Sequence, residues 1–342
     1  AGVAHQVAQL FEHGQVEHRA GGLFADVDGA TIRNLGLTGV NITGSANVGG
    51  LAGYLSGGSV TNVYVTGAVS GTGGAFGVGG LIGESWNTTI TNSHNAATVS
   101  GVSDKVGGLV GYNSANSNIT ACYSTGAVTG TVDGAKVGGL VGSNDGATIT
   151  SSYSTGNVSG YYAGGLAGRD RNGTITNSYH TTGTVSSSKY AGGLVGYADY
   201  TMVSNSYNSG GVSVGGSYDG YAGGLVGYSV NTTGLGVKIE QSYNSGSVSV
   251  TNNGNSSRVA GGLIGGSDTS YIKDSYNTGS VTMTGAPSGS GGGLVGFNLG
   301  GGQINYSYNT GAVSGFTNAG GLAGGTTNMG GYYSYWDKET SG

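Results

Sequence analysis

The sequence predicts an all-β fold: a β-solenoid (β-helix) of about eleven coils of roughly 30 residues each. Three observations predict it. The tetrad Gly-Leu-(Val/Ala/Ile)-Gly, nearly always led by a second glycine, recurs with its leucine at Leu51, Leu81, Leu109, Leu140, Leu166, Leu194, Leu225, Leu263, Leu294 and Leu322, and a degraded copy stands at Gly21-Gly22-Leu23-Phe24-Ala25. Short β-branched and aromatic runs bounded by Gly, Asn and Ser are strand signals, and beyond Gly21 no window keeps helical apolar spacing. Glycine fills 77 of 342 positions beside one proline, Pro287, which disfavours helices and lacks the triplet period and proline content of collagen. Disorder is disfavoured as well, because Leu, Ile, Val and Tyr recur in phase.

Each element follows in chain order. Val3, Val7, Leu10 and Phe11 have helical spacing, so a short N-terminal capping helix is expected over the first coil, dividing the chain into a cap (1–20) and the solenoid (21–342). His5, His13, His18, Glu12 and Glu17 also lie there, but none has a metal-ligand spacing, and no metal or other cofactor is expected. After most of the leucines comes an aliphatic station at Ile32, Val60, Ile90, Ile119, Ile149, Ile175, Val203, Ile272 and Ile304, with Ile239 delayed. An aromatic follows at Tyr64, Tyr123, Tyr153, Tyr179, Tyr207, Tyr243, Tyr276 and Tyr308, with His94 as the exception; stacked coil on coil, this row forms a ladder. A last apolar row runs from Val69 to Val313, giving three or so strands per coil. Tyr332, Tyr333, Tyr335 and Trp336 are expected to plug the terminal coil.

Taken together, Gly-Gly-Leu-Val-Gly, the tail Asn-Ser-Tyr-(Ser/Asn)-(Thr/Ser)-Gly-x-Val, and the closing Ser334-Tyr335-Trp336-Asp337 with Glu339-Thr340-Ser341-Gly342 resemble the GLUG-motif repeats of large bacterial and archaeal surface proteins. The resemblance implies a β-helical, secreted or cell-surface segment, adhesin-like or stalk-like, and it brings no catalytic residues. The chain departs from the pattern at Ala25, at His94, in the spacing before Ile239, and throughout 1–20.

Composition narrows the function further. Charged residues make up 8% and the net charge is −5, so no basic cluster exists to neutralise phosphates, and nucleic acid and anionic membrane are excluded as partners. No run of eighteen apolar residues occurs, and direct membrane insertion is not expected. The lone Cys122 takes a place held elsewhere by Ser93, Ser152, Ser178 and Ser206, which predicts a small buried side chain.

Loop lengths locate a candidate surface. The valine-to-leucine interval varies from Val158–Leu166 to Val248–Leu263 while the leucine-to-aliphatic interval is nearly fixed, so insertions gather at one corner. The candidate binding residues there are Tyr161, Tyr162, Tyr190, Tyr218, Tyr221 and Arg258, rigid rings among flexible polar neighbours. The expected partners are cell-surface glycans, other surface proteins, or further copies of the chain end to end. Three readings follow: a non-enzymatic adhesin or stalk, a self-assembling extracellular filament, and an ice-binding surface built on Thr89-Ile90-Thr91, Thr148-Ile149-Thr150 and Thr174-Ile175-Thr176, which Lys238 and Glu240 interrupt. An enzyme is not expected, because Arg169-Asp170-Arg171 has no partner carboxylate one coil away and no carboxylate pair is evident.

Overall fold

A computed structural model of the chain describes residues 6–8 and 20–338, apart from 75, 115, 217, 232–235, 255–256, 287 and 327–328. It is an all-β solenoid in which the strand pairings run parallel from coil to coil. Eleven strands that follow the repeat leucines form one sheet, from Phe24–Asp28 to Ala323–Thr326, and so close about ten full turns.

Most coils are broken into more strands than the three expected, up to five, although the first two run unbroken through Thr31–Gly44 and Ser59–Gly71. In the coil of Leu109 they are Lys105–Gly107, Val110–Ser114, Asn118–Thr120, Tyr123–Ser124 and Val128–Gly130, here called the return, leucine, threonine, tyrosine and valine strands. The extra break between the threonine and tyrosine strands is a left-handed residue repeated in register: Asn92, Ala121, Ser151, Asn177, Asn205, Gln241 and Asp274 all have φ between 48 and 52°. Asparagine suits that corner because its side chain tolerates the left-handed region.

Inside, the leucines from Leu51 to Leu294 and the aliphatic station from Val60 to Ile304 are buried, and only the end members Leu23, Ile32 and Leu322 are partly exposed. Two polar rows are buried as well, and the bonds they make explain the motif. The serines of Asn-Ser-Tyr accept a backbone N–H from the coil before and donate to the carbonyl two residues back, as Ser178 does with Ser152 N (3.1 Å) and Thr176 O (2.8 Å). Cys122 sits in this row, buried as expected, with the Ser93 N–H on its sulfur. The second row is an asparagine ladder: Asn208, Asn244, Asn277 and Asn309 link amide to amide at 2.8 Å per step.

The paired glycines make room for this ladder. A Cβ on Gly193 would lie 2.0 Å from the Gly224 carbonyl oxygen and 2.4 Å from Asn208 Cγ, and one on Gly192 would lie 1.9 Å from the Val195 oxygen. The backbones of the return and leucine strands therefore cross in contact, and any side chain there would displace backbone.

The N-terminal cap is corrected. Gln6–Ala8 is a strand, not a helix, and it pairs parallel with Leu35–Leu37. The first long strand, Thr31–Gly44, would otherwise present an unpaired edge, and a strand satisfies those backbone groups where a helix laid over them would not. The rest of 1–20, with His5, Glu12, His13, Glu17 and His18, lies outside the described residues. At the other end Trp336 takes the place of the ladder asparagine with its ring against Gly321, but it is 46% exposed and Tyr332, Tyr333 and Tyr335 are about two-thirds exposed, so the four aromatics do not bury themselves as the expected plug.

Candidate binding corner

Two populations of tyrosine stand on the outside. The first is the repeat row. From Tyr64 through His94 to Tyr308 successive rings stack at 4.4–5.3 Å with interplanar angles of 10° or less. Stacked in this way the rings spend their faces on each other and show only edges and hydroxyls, so the ladder is a strut between coils.

The second population is different. On the return strands Tyr162, Tyr190 and Tyr221 are in register, one per coil. On the adjoining leucine strands Arg169, Tyr197 and Tyr228 are in register beside them. Tyr190 touches Tyr162 (4.9 Å), Tyr197 (5.8 Å) and Tyr228 (5.1 Å), and Tyr221 tilts against Tyr228 at 56°. Tyr161 meets Tyr162 and Tyr218 edge to face, and the Tyr218 hydroxyl donates to Asp133 Oδ2 at 2.7 Å, tying two loops of the variable corner together. Six of the seven rings are half-buried and Tyr218 is exposed.

The electrostatics follow from this packing. Burial raises the phenol pKa of Tyr190, with neighbouring tyrosines adding to it, and burial with the Asp268 carboxylate raises that of Tyr228, whose hydroxyl donates to Asp268. Burial also raises Tyr197, with Asp199 adding and Arg169 opposing. Beside the cluster an open groove of about 440 Å³ has the hydroxyl row Ser159, Ser186 and Ser213 along it, and Tyr161 and Asp133 at its wall.

The structure thus brings together Tyr161, Tyr162, Tyr190, Tyr218 and Tyr221 and separates Arg258 from them. Arg258 is wholly buried, and its Nη2 donates to the Gly216 carbonyl beneath the loop that the sequence placed outside. Tyr197 and Tyr228 escaped the sequence reading. Their signal was a fixed offset from the leucine: three residues after Leu194 and Leu225, one before the inward Ala198 and Ser229, where strand alternation turns a side chain outward. The Arg169-Asp170-Arg171 run splits the same way, with Asp170 buried inside and both arginines outside.

The GLUG motif matches at residues 44–70, 74–100, 105–129, 133–159 and 187–215. This chain is a GLUG-repeat β-solenoid. The five GLUG repeats cover successive coils except the one centred on Leu166, and the same glycine crossings and serine row continue beyond residue 215 through Leu225, Leu263 and Leu294. No curated protein matches the chain. Among the described residues of the GLUG solenoid no group of three His, Cys, Asp or Glu side chains converges as a metal site, and no helix is long and apolar enough to cross a membrane.

Proposed function

We propose that this GLUG-repeat solenoid is a non-enzymatic extracellular adhesin or stalk segment and that it binds through the tyrosine corner. One observation carries the reading: rings that elsewhere in the chain stack into a single strut here gather from two strands, some pairs stacked at 12–26° and others crossing at up to 71°, partly exposed, beside an open hydroxyl-lined groove. Amphipathic rings held rigidly by neighbours lose little entropy on binding, and mixed aromatic and hydroxyl surfaces suit glycans and surface proteins alike. The rods would sit at the cell surface or be secreted.

The ice-binding reading is weaker. The threonine strands are in register from Thr89 to Thr174, but the row then runs to Met202, Lys238 and Tyr271, and Lys238 is salt-bridged to Glu240 on that face. A glycan array and whole-cell binding with the intact chain test the proposal against a variant carrying Tyr190→Ala and Tyr197→Ala. Binding that the double variant loses, at unchanged unfolding temperature, supports the corner. Equal binding by both proteins refutes it, and long fibres in electron micrographs would favour end-to-end assembly.

A further inference from the structure

Five of the eleven lysines and arginines of this chain are neutralised in place among the described residues. Asp104 holds both Lys105 and Lys136, Asp145 holds Arg171, Glu240 holds Lys238 and Asp274 holds Lys273. Two that flank the ring cluster make no ion pair among the described residues. Lys189 Nζ lies 5.1 Å from the centre of the Tyr190 ring and 5.5 Å from that of Tyr161. Arg169 stands in register with Tyr197, near enough for its charge to bear on that phenol, and its Nε is buried with no hydrogen-bond partner. A guanidinium without an ion pair beside aromatic rings can engage a planar anion through its fork of N–H groups.

We propose that the tyrosine corner binds an acidic saccharide, a carboxylate- or sulfate-bearing glycan, with Arg169 and Lys189 taking the anionic groups and the ring edges and hydroxyls of Tyr162, Tyr190 and Tyr197, which stack on one another between them, meeting the sugar hydroxyls. The inference rests on the reading of that corner as a binding surface and adds the ligand's class. A sugar is favoured over an acidic peptide for two reasons. The return and leucine strands here are paired on both sides by neighbouring coils, which leaves no free edge for a peptide backbone. The adjoining row of Ser159, Ser186 and Ser213 repeats hydroxyls once per coil, which matches a chain of hydroxylated rings.

The test is titration of the intact chain with polygalacturonate, dextran sulfate, neutral dextran and polyglutamate, at low and high salt. Binding to polygalacturonate or dextran sulfate, absent with dextran and weakened by salt, is expected, and the polymer bound names the anion. Arg169→Gln and Lys189→Gln should each weaken it about fivefold, the scale of one partly exposed charge contact. Arg33→Gln, an outward cation on the threonine strand, should leave it unchanged. Equal binding to dextran, a preference for polyglutamate, no binding to any polymer, or indifference to both charge variants overturns the proposal. If Tyr190→Ala and Tyr197→Ala abolish binding while the charge variants do not, the corner stands and its acidic ligand falls.

Discussion

The coil of Leu166 carries two buried ionisable groups that pull stability in opposite directions with pH. Asp170 is wholly buried at the end of a polar chain in which Ser85 Oγ donates to Asn113 (2.7 Å), Asn113 to Asn144 (2.8 Å) and Asn144 to Asp170 Oδ1 (2.6 Å), while Thr201 Oγ1 donates to Oδ2 (2.7 Å). Burial pushes its carboxyl from 3.8 up to about 6 in spite of those bonds. His180, buried in the asparagine ladder against Ser154 and the Gly183 carbonyl, is pushed by burial from 6.5 down to about 4. At about 1.4 kcal/mol per pH unit each displacement is worth about 3 kcal/mol. The signs are opposite. Asp170 binds its proton more tightly when folded, so its contribution is complete below pH 3.8 and is lost as pH rises through 6. His180 binds its proton less tightly when folded, so its contribution is complete above 6.5 and is lost as pH falls towards 4.

Between pH 4 and 6 the two slopes nearly cancel, and single substitutions should expose them. Asp170→Asn keeps the shape and extends the asparagines already at 113 and 144. It should raise stability at pH 7.5 by up to about 3 kcal/mol and leave a protein whose unfolding temperature falls as pH drops from 6.5 to 4. His180→Asn, which continues the ladder of Asn208, should leave the reverse: an unfolding temperature that rises as pH drops from 6 to 4. Calorimetric scans of the three proteins across this range measure both slopes, and differences from wild type remove what the surface carboxylates contribute. Curves for Asp170→Asn and wild type that run parallel from pH 4 to 7.5 would refute the argument.

Two further predictions concern the backbone. Gly193→Ala should cost several kcal/mol or prevent folding, because its Cβ meets the Gly224 carbonyl at 2.0 Å, whereas Gly215→Ala has nothing within 4 Å and should be neutral; thermal unfolding separates the two. Ala121→Asn places at the left-handed corner the residue found at 92, 177 and 205, and it should stabilise by about 1 kcal/mol, read as a higher denaturant midpoint.

The repeat was legible because each of its letters is forced by geometry. Leucine and isoleucine fill an interior one side chain deep, paired glycines admit a crossing backbone, and the serine bonds the neighbouring coil, so period and composition carry the fold. The five-strand break was not legible: the corner residue is Asn in some coils but Ala121, Ser151 and Gln241 in others, and φ leaves no mark on those. The N-terminal segment misled for a physical reason. Apolar residues at i, i+4, i+7 and i+8 give a helical period, but the short stretch Gln6–Ala8 shows its alternation only when a parallel edge is there to pair it. Of the candidate site, the tyrosines were legible because they interrupt the small polar residues of a variable loop. Arg258 was misplaced because a charge in an insertion reads as exposed until the loop is seen to fold over it.

The division between inside and outside also says where this chain is free to change. An inward row is coupled to both neighbouring coils through bonds such as Asn208 to Asn244, so a substitution there must suit three coils at once. An outward row is coupled more loosely, through ring stacking, hydroxyl contacts such as Ser186 to Ser213, and surface ion pairs such as Asp145 to Arg171. The repeat row stays aromatic, with His94 its one departure from tyrosine, because each inner ring stacks on two others, yet the row two residues before Ala163, Ala191 and Ala222 holds Tyr161, Lys189 and Gly220, and the neighbouring row holds Lys136 before Tyr162, Tyr190 and Tyr221. Identity there is not demanded by the fold. A run of three tyrosines in register, joined by two more from the adjacent strand and flanked by Arg169 and Lys189, which make no ion pair among the described residues, is the feature that the proposed binding corner would account for.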